Sequence, residues 1–309
     1  MFVKHGLFVP EVQPAPFLRW AGGKRRLVPI IRAFMHKDFE LGENRFFEPF
    51  MGSAAIAMSL DVSHLKPASK PYIFLSDIND ELVNAYKVLK ASPGRLIRRL
   101  EQMEQDTSEE TFYMVRDRKE HSQLGRAARL IYLNRTCFNG LYRENADGRF
   151  NVPYGKLTNP TVCNAPLLTA VSSWLATASV SKHSFVAAVR RAKPGDMVYF
   201  DPPYIPLSNT SAFSKYSSSD FGIDDHHQLA RLISQLSDRG VRVMLSNSDT
   251  PLTRKIYGGH GLHFRSIRVH RNISASASSR VKVSELIGVN YKLQTCADPV
   301  FADKHSTRL

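Results

Sequence analysis

The chain of 309 residues is short of acid: 28 Asp and Glu stand against 42 Lys and Arg, a formal net charge of +14. An excess of that size attracts polyanions, and nucleic acid is the first partner it suggests. Long apolar runs are missing as well. None approaches the ~18 residues that a membrane-spanning helix needs, so no membrane role is expected. The first sixteen residues, with Lys4, His5 and Glu11, lack the unbroken apolar core of a secretory signal. Cysteine is scarce: Cys137, Cys163 and Cys296 are too few and too scattered for a disulfide framework or a zinc site. Cytoplasmic residence and the absence of a metal follow as default expectations. Internal repeats and long low-complexity tracts are also lacking.

Two phosphate-binding signatures fail on particular letters. In Phe17-Leu18-Arg19-Trp20-Ala21-Gly22-Gly23-Lys24, a phosphate loop would need Gly at 18 and Ser or Thr at 25, where Leu18 and Arg25 stand. The turn around Gly52 lacks the three glycines of the dinucleotide fingerprint. What remains is one glycine that permits close backbone approach after a strand, and Asp77 after the next strand, placed to grip ribose hydroxyls. That pairing suits a nucleoside cofactor without pyrophosphate. Asp77 as an ordinary turn or helix-capping residue is the alternative.

What is present begins with Tyr199-Phe200-Asp201-Pro202-Pro203-Tyr204. An exocyclic amine on a nucleobase is a poor nucleophile because its lone pair is delocalised into the ring. Asp201 can accept one of its N–H groups and the Pro202 carbonyl the other, with no competing N–H from either proline. Tyr204 offers a π-face for a base drawn out of its helix. Alone, the run fits equally well a strand ending in a Pro-Pro turn.

Strands are expected at Arg45–Phe47, Tyr72–Leu75, Met197–Phe200 and Val241–Leu245, with helices at Ala54–Leu60, from Asp80, and at Asp224–Ser237. This alternation predicts an open α/β sheet, whose ligands sit beyond the carboxyl ends of the strands. Between Glu81 and about Cys163 the pattern turns helical (Leu96–Met103, Thr111–Arg118, Ala127–Leu133) and then polar, from Asn134 to Pro153. This block reads as a mainly α-helical insertion, or else as an extension of the same domain. The Ser-rich stretch Ser208–Ser219 reads as a loop able to close over the Pro-Pro-Tyr turn, or as an inert connection. Adjacent helical residues do not face one another, so His226-His227 is not expected to bind a metal.

Taken in order, Arg19-Trp20-Ala21-Gly22-Gly23-Lys24, Glu48-Pro49-Phe50-Met51-Gly52, Ser76-Asp77-Ile78-Asn79, Leu133-Asn134-Arg135, Phe138-Asn139-Gly140-Leu141-Tyr142-Arg143, Phe150-Asn151-Val152-Pro153-Tyr154-Gly155, Asp201-Pro202-Pro203-Tyr204 and Ser246-Asn247 resemble the Dam-type (D12 class) DNA adenine-N6 methyltransferases. The resemblance spans Phe17 to about Tyr291. It implies a Rossmann-like S-adenosylmethionine-dependent methyltransferase sheet, with residues 1–80 and 164–309 as two parts of the catalytic domain and 81–163 as an inserted target-recognition domain. Residues 1–16 would be an extended lead-in.

It further implies that Trp20, Lys24, Phe50, Gly52, Asp77 and Asp201 line the S-adenosylmethionine site, and that Asp201, Pro202, Pro203 and Tyr204 hold a flipped adenine. The partner would be duplex DNA at GATC, bound by a monomer, with no metal. By the same resemblance Phe138 is an aromatic wedge and Asn139 contacts the orphaned thymine. Leu141 and Pro153 would meet a thymine methyl, Arg143 a guanine, and Arg19 the first base pair. Arg271 and Asn272 fall in a basic backbone-contacting loop.

Three letters depart from the family's usual pattern: Ala54 for a glycine, Arg19 for a lysine and Phe138 for a tyrosine. Related Pro-Pro-Tyr turns serve cytosine-N4 and protein-amide methylation, but those tend to begin with Ser or Asn, so Asp201 favours adenine. A catalytically silent DNA-binding regulator would not need both Asp77 and Asp201.

Overall fold

The computed structural model describes residues 12–65, 70–205, 221–269 and 283–292. Its strands are β1 (Phe46–Glu48), β2 (Ile73–Asp77), β3 (Ala178–Lys182), β4 (Met197–Phe200), β5 (Arg242–Ser248), β6 (His263–Val269) and β7 (Val283–Val289). They form a seven-stranded mixed sheet in the order β3-β2-β1-β4-β5-β7-β6. The β2–β3, β1–β4 and β4–β5 pairs are parallel, and β7 runs antiparallel to both β5 and β6. The α-helices among the described residues are α1 (Val28–Ala33), α2 (Asp80–Ala91), α3 (Pro93–Glu104), α4 (Glu109–Asp117), α5 (Gln123–Thr136), α6 (Ala165–Leu175), α7 (Phe185–Ala188), α8 (Ile223–Asp238) and α9 (Pro251–Tyr257). The chain divides into two compact units, Met1–Lys24 with Glu48–Ala188 and Arg25–Phe47 with Val189–Leu309.

In the first unit, α2 starts where Asn79 accepts the Leu82 N–H at 2.9 Å, with Asp80 and Glu81 in the first turn where the helix dipole favours acid. Its stripe of Leu82, Val83, Tyr86 and Leu89 is buried, at the spacing of one helical face. The helix packs against α5, α6 and α3 and against the strands β3 and β2. Each large apolar side chain so buried contributes roughly 1.5–3 kcal/mol relative to exposure.

In the second unit, all of β4 is buried, as expected of a parallel strand covered on both faces. Asp196 sets its start: it accepts the Arg45 backbone N–H at 2.8 Å and the Arg45 guanidinium at 2.6 Å. Phe46 then pairs with Met197, and along the other edge Tyr199 pairs with Met244 and Phe200 with Leu245. One step further, this register brings Ser246 beside Asp201.

Most expected elements appear with ends shifted by a few residues. The helix expected at Ala54–Leu60 does not form. Ala54 sits at φ +53°, left-handed backbone that a helix cannot use, and only the 3-10 turn Ala57–Ser59 follows before Leu60 becomes extended. The polar segment expected from Asn134 begins later, because α5 continues to Thr136. The strand expected to end at Leu245 runs on to Ser248.

Candidate active site and nucleic-acid face

The first unit gathers the residues expected to hold a nucleoside. Asp77 ends β2, and its two carboxylate oxygens accept backbone N–H groups from Asn79 at 3.0 Å and Gly52 at 3.2 Å. Burial raises its pKa above the ordinary carboxylate value, opposed by hydrogen bonds from Asn79, Gly52 and Ile78. Gly52 has φ +43°, and a Cβ there would come 3.1 Å from the Trp20 ring. Glycine is therefore favoured by conformation, and a Cβ would also need the Trp20 ring to give by a few tenths of an ångström. Trp20 stacks on Tyr142, centroids 5.0 Å apart and planes 26° apart. Phe50 stacks on Phe185 at 5.6 Å and 21°. The buried Lys24 donates from Nζ to the Gly22 carbonyl at 2.9 Å.

The same unit brings the candidate DNA-contacting residues onto its surface. Arg19, Phe138, Asn139, Leu141, Arg143 and Pro153 are all exposed, Phe138 and Leu141 to 49% and 41%. Asn134 of α5, itself buried, ties two of their segments together. Its Oδ1 accepts the Arg19 N–H at 2.8 Å, and its Nδ2 donates to the carbonyls of Arg19 at 2.7 Å and Gly140 at 2.9 Å. Phe138 donates its N–H to the Pro153 carbonyl at 2.9 Å. Asn139 and Gly140 both have left-handed backbone, φ +55° and +64°. A Cβ on Gly140 would lie 2.4 Å from Arg19 Cδ. Arg143 donates from Nε to Asn151 Oδ1 at 2.7 Å, which orients its guanidinium while leaving the side chain exposed.

The second unit holds the Asp201–Tyr204 turn at the end of β4. Ser246 of β5 donates from Oγ to Asp201 Oδ1 at 2.7 Å, and the same Oγ lies 2.8 Å from the Tyr199 hydroxyl. The Tyr204 hydroxyl donates to Glu285 Oε2 at 2.9 Å. Burial, followed by the charges of Asp201 and Glu285, drives the Tyr204 pKa well upward, so this phenol stays protonated. Ile205 donates its N–H to Asn247 Oδ1 at 3.2 Å. His226 of α8 is buried, its Nδ1 2.7 Å from the Tyr257 hydroxyl. Its ring also hydrogen-bonds the backbone of Pro203, which can only accept. Burial lowers its pKa to about 4.

Of the residues expected for the cofactor, Gly52 adjoins both Trp20 and Asp77, while Phe50 packs on Phe185 and Lys24 bonds Gly22; of those expected for DNA, Arg271 and Asn272 lie outside the described residues. So do the Ser208–Ser219 stretch and Cys296. Cys137 and Cys163 are unpaired. Missed in the sequence were Phe185, Glu285 and the tie from His226. They are distant in sequence from the motifs they touch, so no local pattern announced their roles. Asn134, Tyr142 and Ser246 were visible as motif letters without a stated role. Among the described residues, no helix is long and apolar enough to cross a membrane and no group of three or more His, Cys, Asp and Glu could hold a metal.

Residues 20–272 match the family described as D12 class N6 adenine-specific DNA methyltransferase. The chain is 40% identical over 289 residues to the Type II methyltransferase M1.LlaDCHI of Lactococcus lactis subsp. cremoris, covering 91% of this chain and 97% of that protein. It is 34% identical over 277 residues to the DNA adenine methylase of Escherichia coli K12, covering 88% and 94% respectively. It is 31% identical over 291 residues to the DNA N-6-adenine-methyltransferase of Escherichia phage P1, covering 90% of this chain and 36% of that longer protein.

Proposed function

Because the chain belongs to the D12 class of N6-adenine-specific DNA methyltransferases, we propose that it methylates adenine N6 within GATC in duplex DNA, acting as a monomer on a base flipped from the helix. The observation that carries this reading is the Asp201-Pro202-Pro203-Tyr204 turn, each of whose outer side chains is hydrogen-bonded to a neighbouring strand. The strand ends support it too: ligands of open α/β sheets sit beyond the carboxyl ends of strands, and Asp77 ends β2 while Gly52 and Asp201 follow β1 and β4.

The methyl donor in this reading is S-adenosylmethionine, which supplies a methyl group already activated on a sulfonium. The residues of the first unit fit such a group. Asp77 would accept ribose hydroxyls, the Cβ-free edge of Gly52 would allow close approach, and Trp20, Phe50 and Lys24 would line the site. The helical block at 81–163 serves as the target-recognition domain, between catalytic parts at 1–80 and 164–309. Phe138 enters the base stack and Asn139 meets the orphaned thymine. Leu141 and Pro153 contact a thymine methyl, Arg143 reads guanine, and Arg19 reads the outermost pair.

When bound, S-adenosylmethionine would supply the methyl group for the new bond to N6, the carbon–sulfur electron pair leaving with sulfur, and the proton that nitrogen sheds would pass to solvent. Asp201 and the Pro202 carbonyl accept the two N6–H groups, drawing the lone pair out of the ring and stabilising the positive charge that develops on nitrogen. Tyr204 stacks on the flipped base, offsetting an unstacking cost of a few kcal/mol. Pro203 adds no competing N–H donor. Orientation does the remainder.

The test is transfer of labelled methyl from S-adenosylmethionine to duplexes carrying GATC or a single-base variant, followed by nucleoside mass spectrometry. N6-methyladenine confined to GATC is the expected product. N4-methylcytosine, or equal labelling of every duplex, overturns the reading.

A further inference from the structure

Asp201 is held from behind by a fully buried chain of hydroxyls. Tyr199 and Ser246 are both completely enclosed, and the hydrogen positions follow from chemistry. An ionised carboxylate only accepts, so the 2.7 Å contact is a donation from Ser246 Oγ to Asp201 Oδ1. Serine has a single hydroxyl proton, so in the 2.8 Å contact Tyr199 must donate to Ser246. The chain thus runs one way, Tyr199 to Ser246 to Asp201. Tyr199 stands on β4 and Ser246 on β5, and the register that pairs Tyr199 with Met244 and Phe200 with Leu245 puts Asp201, just beyond β4, opposite Ser246.

We propose that Ser246 is a positioning residue for methyl transfer: backed by Tyr199, it fixes the Asp201 carboxylate so that the N6 amine is received at one angle. The inference rests on reading Asp201 as the N6 acceptor. Misplacement of an acceptor by about 1 Å can cost on the order of a hundredfold in rate. The bond from Ser246 to Oδ1 restrains the last torsion of Asp201, and a carboxylate can accept more than one hydrogen bond. The bond also favours the ionised form of Asp201, since hydrogen bonding to a charged form lowers a carboxyl pKa. Among the described residues, the ionisable neighbours around the turn are Tyr199 of β4, Tyr204 itself and Glu285 of β7, with His226 of α8 against Pro203. Serine does not titrate, so a shift seen on changing Ser246 reports on a group that it touches.

The experiment compares full-length wild type with Ser246→Ala, Ser246→Thr and Tyr199→Phe. It follows single-turnover methyl transfer to a GATC duplex across pH, with S-adenosylmethionine and DNA affinities measured separately. Ser246→Ala should transfer about ten- to a hundredfold more slowly, with both affinities within about twofold of wild type and the acid limb of the rate profile displaced upward. Ser246→Thr, which keeps the hydroxyl, should recover to within about threefold. Tyr199→Phe should move both readouts in the same direction by less.

A Ser246→Ala enzyme with wild-type rate and acid limb overturns the proposal. So does a slowed one whose acid limb is unmoved and whose affinities fall in step, the signature of general loosening. If Ser246→Ala does not fold, the other two variants decide: an unmoved acid limb in Tyr199→Phe, or no recovery in Ser246→Thr, overturns it. A wild-type enzyme that never labels adenine removes the underlying reading, an outcome distinct from a wild-type-like Ser246→Ala.

Discussion

At the scale of single residues, the proposed reaction gives two carboxylates different duties, and their variants should separate. In that proposal Asp201→Ala removes an acceptor that matters as charge develops on nitrogen. Loss of one such group costs about a hundred- to a thousandfold in turnover, and DNA affinity should survive. Single-turnover transfer within several-fold of wild type would remove Asp201 from the chemistry. Asp77 is both candidate ligand and structural acceptor, since it satisfies the N–H groups of Gly52 and Asn79. Asp77→Ala should therefore weaken S-adenosylmethionine binding by about 1.5–3 kcal/mol and also lower stability by about 1–3 kcal/mol as those N–H groups lose their partner. Calorimetry for the first and urea unfolding for the second measure the two losses independently. Unchanged cofactor affinity beside reduced stability would make Asp77 purely structural.

At the scale of elements, α8 is tied to the turn after β4 by a histidine. His226 Nδ1 lies 2.7 Å from the Tyr257 hydroxyl of α9, and its ring bonds the Pro203 carbonyl. Burial depresses its folded pKa to about 4, against an ordinary value of about 6.5 in the unfolded chain. Between these values the unfolded state binds the extra proton, so stability should be intact above about pH 6.5 and fall as pH drops toward 4. The loss approaches about 3 kcal/mol. Carboxylates titrate in part of this window, so the informative measurement is a difference. Urea midpoints of wild type should fall with acidification more steeply than those of His226→Gln, which has no imidazole to protonate. Parallel curves would mean that His226 is not buried neutral.

The legibility of these elements follows the range of the forces that shape them. Strands β1, β2, β4 and β5 and helices α2 to α5 and α8 were readable because periodicity and caps are local. Strand β3, with one buried apolar residue on either side of a serine, and β7, with Glu285 inward, owe their state to pairing partners far along the chain. Ala54 misled because alanine favours helix while its place in the turn demands left-handed backbone. The candidate residues were legible as letters in order. What holds them, such as Ser246 behind Asp201 and Asn134 between Arg19 and Gly140, was not, because those contacts join positions 45 and 115 apart or 6 apart across a tight turn.

For the whole molecule, a net charge of +14 makes gripping phosphates easy to confuse with reading bases. Counterion release gives every phosphate contact a share of the salt dependence, about 0.9 unit of slope each on duplex DNA. Arg143 is the residue on which the distinction turns, because its guanidinium is exposed yet oriented through Asn151. A fork held in one plane suits bidentate contact with guanine O6 and N7. If it reads guanine, Arg143→Ala should cost about 1–3 kcal/mol on the cognate site and much less where that guanine is already replaced, relaxing specificity at one base pair. If it grips phosphate instead, affinity should fall almost equally on every sequence and the salt slope should become shallower by about one unit. Binding and methylation measured on GATC and its single-substitution variants at two salt concentrations separate these outcomes. Asn151→Ala supplies the companion measurement. It leaves the charge in place but frees the fork, so it should weaken discrimination at the same base pair while leaving the salt slope unchanged.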